Sequence, residues 1–298
     1  MIEKKKELVA LLCLAAALAI FSAVIGGVLT PKRVGYGANL KYLRAEPSNS
    51  IDVVYMGSSV AYCDIIPSEV ELSGKTAYVL AGPEQTLEAT FMYMKELFKT
   101  QNPSEIWIEV SGLIFGGYYE NSNMINVLYM PQSLNRLELA FSTTTPDDWV
   151  SLFCPVYSYH SRWKELTSRD FNWAFGYPKD VNKGYQRLDS NIEAETPTAY
   201  GDMLRAEANS AWLFDICEYA QKKGTQIKFF LAPRIHYVSP EIVEAVNAGL
   251  RERQYCEIYD FSTAFDEAGI DLSTDCFDQM HLNHSGAVKF SRFLAGLL

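Results

Sequence analysis

The chain has 298 residues, 48% of them hydrophobic, 13% aromatic and 21% charged. That is the composition of a folded protein, and it is long enough for one large α/β domain or two small ones. The net charge is −10; residues 1–30 carry +1 (Lys4, Lys5 and Lys6 against Glu3 and Glu7), which leaves −11 on the remainder. A body this acidic repels nucleic acid and has no basic stripe to bind it, so a neutral or cationic substrate, or a membrane, is the better-suited partner.

In chain order, the first element is the uncharged 22-residue run from Leu8 to Leu29. Some 20 apolar residues at 1.5 Å rise cross the hydrocarbon of a bilayer as a helix. Three lysines precede it, so the positive-inside rule keeps residues 1–7 in the cytoplasm and puts everything after Pro31 outside. The run is longer than the apolar core of a secretory leader and no small-x-small cleavage site follows, so a retained single-pass anchor is expected over a cleaved leader. Residues 31–50, with Pro31, Gly35, Gly37 and Pro47, read as a connector.

From residue 51 the pattern alternates between strand and helix. Ile51–Met56 is a compact apolar strand ending at Gly57, and Thr76–Leu80 is a second, ending at Ala81-Gly82-Pro83. Glu84–Thr100 has helical spacing in Leu87, Phe91, Met94, Leu97 and Phe98. Glu105–Val110 is the third strand. Ala206–Lys223 is a helix stopped by Gly224. Gln226–Ala232 and Glu257–Phe261 are strands four and five, with a helix at Pro240–Arg253 between them and a closing helix at His284–Leu298. This predicts a three-layer α/β/α fold on a mostly parallel, flavodoxin-like sheet of five strands, with its site at the carboxyl ends of the strands. Residues 113–200 interrupt the rhythm and are rich in aromatics, including Tyr118, Tyr119, Tyr157, Trp163, Phe171 and Trp173; they read as a lid or substrate-binding insertion in one domain spanning 51–298. Six cysteines, with no CxxC pair, read for the most part as small buried hydrophobes, with Cys13 in the apolar N-terminal run.

Two places can carry chemistry. After strand one comes Gly57-Ser58-Ser59, a tight strand-to-helix turn that can present a serine next to backbone N–H groups. Near the other end stands Asp278-Gln279-Met280-His281, in which the Asp can orient one imidazole nitrogen while the other faces a nucleophile. Either alone also reads as a turn with a helix cap. His160, Arg162, Arg234 and His236 are weaker candidates for lining a substrate face, equally readable as ordinary salt bridges and satisfied histidines. Asp278, His281 and His284 are too few to close a metal site, so neither a metal nor a cofactor is expected.

In combination the order is more specific. Ser59 after the first strand, a glycine after the second, and Asp-x-x-His before the last helix resemble the blocks of the SGNH/GDSL hydrolases. Over roughly residues 51–298 the chain is more closely similar to bacterial membrane-anchored SGNH-like proteins related to the D-alanyl transfer protein of teichoic acid modification. The matching stretches are VVYMGSSVAYCDIIPSEV, TFMYMKELFKTQNPSEIWIEV, YSYHSRWKELTSRDF and FDQMHLNHSGAVKFSRFL. The resemblance implies Ser59 as nucleophile, His281 as base, Asp278 as its acid, and the N–H groups of Ser59 and Gly82 as oxyanion donors. It also implies an extracytoplasmic esterase or O-acyltransferase of the cell envelope, working beside a membrane-bound O-acyltransferase on a glycan or polyol acceptor. The chain departs from the family in its third block. Glu109-Val110-Ser111-Gly112 stands where a Gly-x-Asn supplies a further donor, leaving Ser111 as a weak replacement. Loss of such a donor typically costs about 10²–10³ in rate. An inactive SGNH-like scaffold subunit is the alternative.

Overall fold

A computed structural model describes residues 2–32, 39–115, 120–193 and 195–298. Gly35 and Gly37 of the expected connector, and Tyr118 and Tyr119 of the aromatic stretch, lie outside the described residues. By their contacts the residues fall into two compact units, one made of Met1–Arg33 with Thr144–Pro178, the other of Val34–Thr143 with Lys179–Leu298.

The larger unit is the α/β body. Its strands are β1 (Val53–Gly57), β2 (Ala77–Ala81), β3 (Glu105–Glu109), β4 (Thr198–Tyr200), β5 (Gln226–Leu231), β6 (His236–Val238) and β7 (Ile258–Asp260). Five form one sheet in the order β2-β1-β3-β5-β7, every pair parallel. The registers Val53↔Ala77, Val53↔Glu105, Glu105↔Gln226 and Phe229↔Ile258 bring the carboxyl ends Gly57, Ala81, Glu109, Leu231 and Asp260 to one edge.

Every residue of β1, β2 and β3 is buried, which is why these strands read as continuous apolar runs rather than alternating ones. One face packs Val53, Tyr55, Trp107 and Phe230 against Phe290 and Leu294 of the closing helix, His284–Ala295. On the other side the helices Leu87–Leu97 and Met203–Lys223 meet through Phe91 and Tyr219. The long helix starts at Asp202, whose carboxylate accepts from the N–H groups of Leu204 and Arg205, and stops at Gly224 in the left-handed region. A small parallel pair, β4 with β6, is an addition that the sequence pattern does not announce. Within the expected connector, Asn39–Leu43 is a buried helical turn.

The smaller unit is built on the helix Ile2–Leu29, which over Lys5–Leu29 is long and apolar enough to cross a membrane. Against it pack the helices Pro155–Tyr159 and Ser168–Asn172 and the 3-10 turn His160–Lys164, and the helix Pro146–Phe153 packs in turn on Pro155–Tyr159. Asp148 and Asp170 accept from the N–H groups of Thr145 and Thr167, closing the starts of two of these helices. The 113–200 stretch is therefore divided. Its middle, 144–178, packs with the apolar helix, while its two flanks belong to the α/β body.

Candidate active site

Ser59 is the first residue of the six-residue helix Ser59–Asp64, immediately past β1. The turn that presents it depends on Gly57. Its φ of 138° is a region L side chains rarely enter, and a Cβ there would come within 2.7 Å of the Glu109 carbonyl oxygen. As first helical residue, Ser59 has an N–H with no acceptor inside the helix, at the end where the macrodipole is positive.

The partner group comes from a tight loop before the closing helix. Cys276 and Leu282 form an antiparallel bridge, and the Phe277 N–H donates to the His281 carbonyl at 2.9 Å. Inside this loop the Asp278 Oδ1 accepts from the N–H groups of Met280 and His281, at 2.7 and 2.8 Å. The same carboxylate lies 3.0 Å from His281 Nδ1 through both oxygens. On the far side of the ring, His281 Nε2 sits 2.8 Å from Ser59 Oγ, across a sequence separation of 222. Burial opposes ionisation of Asp278. The His281 imidazole and the two backbone N–H groups outweigh it and hold the carboxyl below its ordinary range. Ser59 and His281 are both half-buried, so the hydroxyl and the imidazole reach the surface.

Beneath them lies a second polar cluster that reaches no solvent. Ser58 Oγ is 3.3 Å from Glu109 Oε2 and 3.1 Å from Ser111 Oγ, and Ser111 Oγ donates to Glu109 Oε2 at 2.6 Å. Arg234, just past β5, brings Nη2 to 3.5 Å from Glu109 Oε1, with both side chains fully buried. Asp64 ties this floor to the loop above: its Oδ1 accepts the Leu282 N–H at 2.9 Å. Since Asp64 sits on the helix that Ser59 opens, this bond clips the residue after His281 to that helix. Burial pushes the Asp64 carboxyl well up; the Leu282 N–H works against that, Glu109 and Asp278 add to it, and Arg234 opposes it.

No family model and no curated protein sequence matches the chain. Among solved structures it is similar to a Bacteroides fragilis NCTC 9343 protein described as a "putative acylhydrolase", at 9% identity and a TM-score of 0.41, over 89% of this chain and 97% of that one. The chemistry of the site therefore rests on its own geometry.

Of the residues singled out from sequence, Ser59, His281 and Asp278 come together in one hydrogen-bonded line. The donors expected for an oxyanion do not all face it. The Gly82 N–H donates to the Gly57 carbonyl at 3.3 Å, and Ser111 spends both its N–H and its hydroxyl on Glu109. Arg234 is engaged with Glu109 in the interior rather than lining an open face. His160 and Arg162 belong to the smaller unit, where Arg162 donates to the Leu29 carbonyl and pairs with Asp170 at 3.0 Å.

Sequence reasoning missed Glu109 and Asp64, and it missed Asn126 and Gln85 beside Gly82. A Cβ on Gly82 would fall 2.0 Å from Asn126 Oδ1 and 2.8 Å from Gln85 Oε1, so a side chain here would displace those two amides. A signal existed for Glu109: a carboxylate at the end of a strand this apolar in its middle needs a buried partner. The flank 179–200 also frames the site. Gln186 N–H donates to the Tyr62 carbonyl at 2.7 Å, and Gln279 Nε2 to Glu195 at 2.9 Å.

Proposed function

We propose that this chain is an SGNH-type serine esterase or O-acyltransferase, held by an N-terminal single-pass anchor, whose body acts outside the cytoplasm on O-acyl groups of cell-envelope glycans or polyols. The observation that carries the reading is the 2.8 Å contact of Ser59 Oγ with His281 Nε2, backed by Asp278 on Nδ1. The residue order shared with the membrane-anchored SGNH-like proteins supports transfer over hydrolysis and a membrane-bound O-acyltransferase as partner.

In this reading Ser59 Oγ attacks the acyl carbonyl carbon as its proton passes to His281 Nε2. Asp278, held ionised, stabilises the imidazolium. Collapse of the tetrahedral adduct expels the donor's alcohol or thiol, which takes the proton from His281 and leaves the acyl group on Ser59. An acceptor hydroxyl then gives its proton to His281 and attacks the acyl-enzyme, and Ser59 regains its hydrogen. The oxyanion is met by the Ser59 N–H. The Gly82 N–H joins it only by leaving its long bond to the Gly57 carbonyl.

That engaged Gly82 donor, with Ser111 committed to Glu109, is what favours the second reading, an inactive scaffold of the same fold. A fluorophosphonate probe separates the two. Labelling of the wild-type chain, absent in Ser59→Ala, supports the enzyme; no labelling of correctly folded wild type supports the scaffold. Turnover of a small activated ester that rises with added polyol marks a transferase. Rapid hydrolysis indifferent to any acceptor marks an esterase.

A further inference from the structure

The apolar run from Leu8 to Leu29 would be about 33 Å long as a helix, close to the thickness of a bilayer's hydrocarbon, so position along it translates into depth. Its side chains are bare from Glu7 to Phe21 and become covered only near the end: Ser22 and Ile25 are half-buried, Gly26 and Leu29 buried. The cover is residues 144–178. A Cβ on Gly26 would lie 3.0 Å from Pro155 Cβ, and one on Gly27 would lie 2.3 Å from the Ala174 carbonyl oxygen. These two glycines let the neighbouring backbone approach as small residues do between membrane helices. Arg162 then caps the helix end by donating to the Leu29 carbonyl. Pro155, Arg162 and Ala174 are thus fixed at the level of the last two turns.

Around these contact points the same stretch exposes large aromatic side chains. Tyr157 is 58% exposed, Trp163 65%, Phe171 60% and Phe175 81%, with Trp173 at 39%. A water-facing surface does not require such a cluster; the boundary of a bilayer, where Trp and Tyr concentrate, does.

We propose that residues 144–178 are a membrane-interface platform, lying in the headgroup and upper acyl region of the outer leaflet with Tyr157, Trp163, Phe171, Trp173 and Phe175 in contact with phospholipid. The proposal rests on the reading that Leu8–Leu29 crosses a bilayer. Given that span, the depth of the platform follows from its contacts at Gly26, Gly27 and Leu29. Among its polar groups, Arg162 pairs with Asp170, and Asp148 and Asp170 close the helix starts, while the charges of Lys164, Glu165 and Arg169 stay at the exposed surface, as the headgroup level allows. The aromatic residues expected to shield a substrate serve a lipid surface instead, and a second point of attachment fixes the tilt and rotation of the span.

The test uses the full chain in phosphatidylcholine vesicles whose acyl chains carry bromine either near the headgroup or near the bilayer midplane, read by quenching of tryptophan fluorescence. Shallow bromine is expected to quench more than deep bromine. W163F/W173F should remove most of the shallow quenching, and F171W/F175W added to that variant should restore it. A carbonate wash checks the span in the same vesicles. Chain that survives the wash with wild-type quenching no greater than in W163F/W173F overturns the platform and leaves the anchor standing, the result also expected if the aromatic face docks a protein. Chain released by the wash overturns the anchor and the platform with it.

Discussion

Ser58 and Ser59 are neighbours in sequence with opposite fates. Ser59 opens onto the surface and faces an imidazole; Ser58 is sealed in a floor of Glu109, Ser111 and Arg234. Each belongs to a polar cluster at the same sheet edge. The upper one keeps a hydroxyl and a ring nitrogen accessible, while in the lower one Ser58 and Ser111 turn to Glu109 and Arg234 stands against that carboxylate as an ion pair without a hydrogen bond. A group that can do chemistry is one the fold leaves partly open.

The strongest way to break this contrast is to exchange the two serines' roles by mutation. Ser59→Ala should lower turnover of an activated ester by about 10⁴-fold or more, whereas Ser58→Ala should keep most of it. Burial pushes the Cys63 thiol up and raises that of Cys276 to about 12, so neither supplies a substitute nucleophile at neutral pH. Comparable loss in both serine variants, each shown folded by circular dichroism, would erase the distinction. Asp278→Asn should come next, still folded by circular dichroism though less stable at neutral pH, with a rate reduced about 10²–10⁴-fold through a misoriented His281.

The lower cluster predicts the reverse pattern. Glu109→Ala leaves Arg234 buried without its carboxylate and should cost about 3–5 kcal/mol of stability in urea titration, with activity lost only as folded protein is lost. The smallest effect is one of pH. Asp64 has a folded pKa raised above that of the unfolded chain, so its contribution is full below about pH 3.9 and falls as pH climbs toward the folded value, at up to about 1.4 kcal/mol per unit. Asp278 has the opposite sign: lowered in the fold, it stabilises above the unfolded value and is lost as pH falls through the folded one. Asp64→Asn should therefore flatten the decline in stability from acid toward neutral pH while the acid-side loss remains. An unaltered slope would mean that Asp64 is ionised in the fold.

The five strands of the main sheet were legible because most are largely apolar runs closed by a turn residue, as in VVYMG and AYVLA. Ser59, Asp278 and His281 were singled out by the order of their blocks rather than by either local pattern alone, and the fold brings the three into one hydrogen-bonded line. The floor was not. Glu109 meets Arg234 from a different strand, and no local pattern encodes an ion pair whose members lie on β3 and beyond β5. The engaged Gly82 N–H was also out of reach, since a bond of 3.3 Å between two strand ends depends on register rather than residue type. The division of 113–200 escaped for another reason: Trp163 and Phe171 have the same chemistry over a substrate as at a lipid boundary. What assigns 144–178 to the apolar helix is contact across a long sequence separation, Gly26 against Pro155 and Gly27 against Ala174.

The clip from Asp64 to the Leu282 N–H closes a circuit between the helix after the first strand and the loop before the last helix. During synthesis Ser59 is made long before His281, and until that loop docks it is an ordinary serine with no base beside it. On the proposed function, a chain still threading from the ribosome is chemically silent. The site would then act as a completion signal: acyl-enzyme would form only on molecules whose first and last elements have met, and the labelled fraction of a preparation would count the fully folded ones.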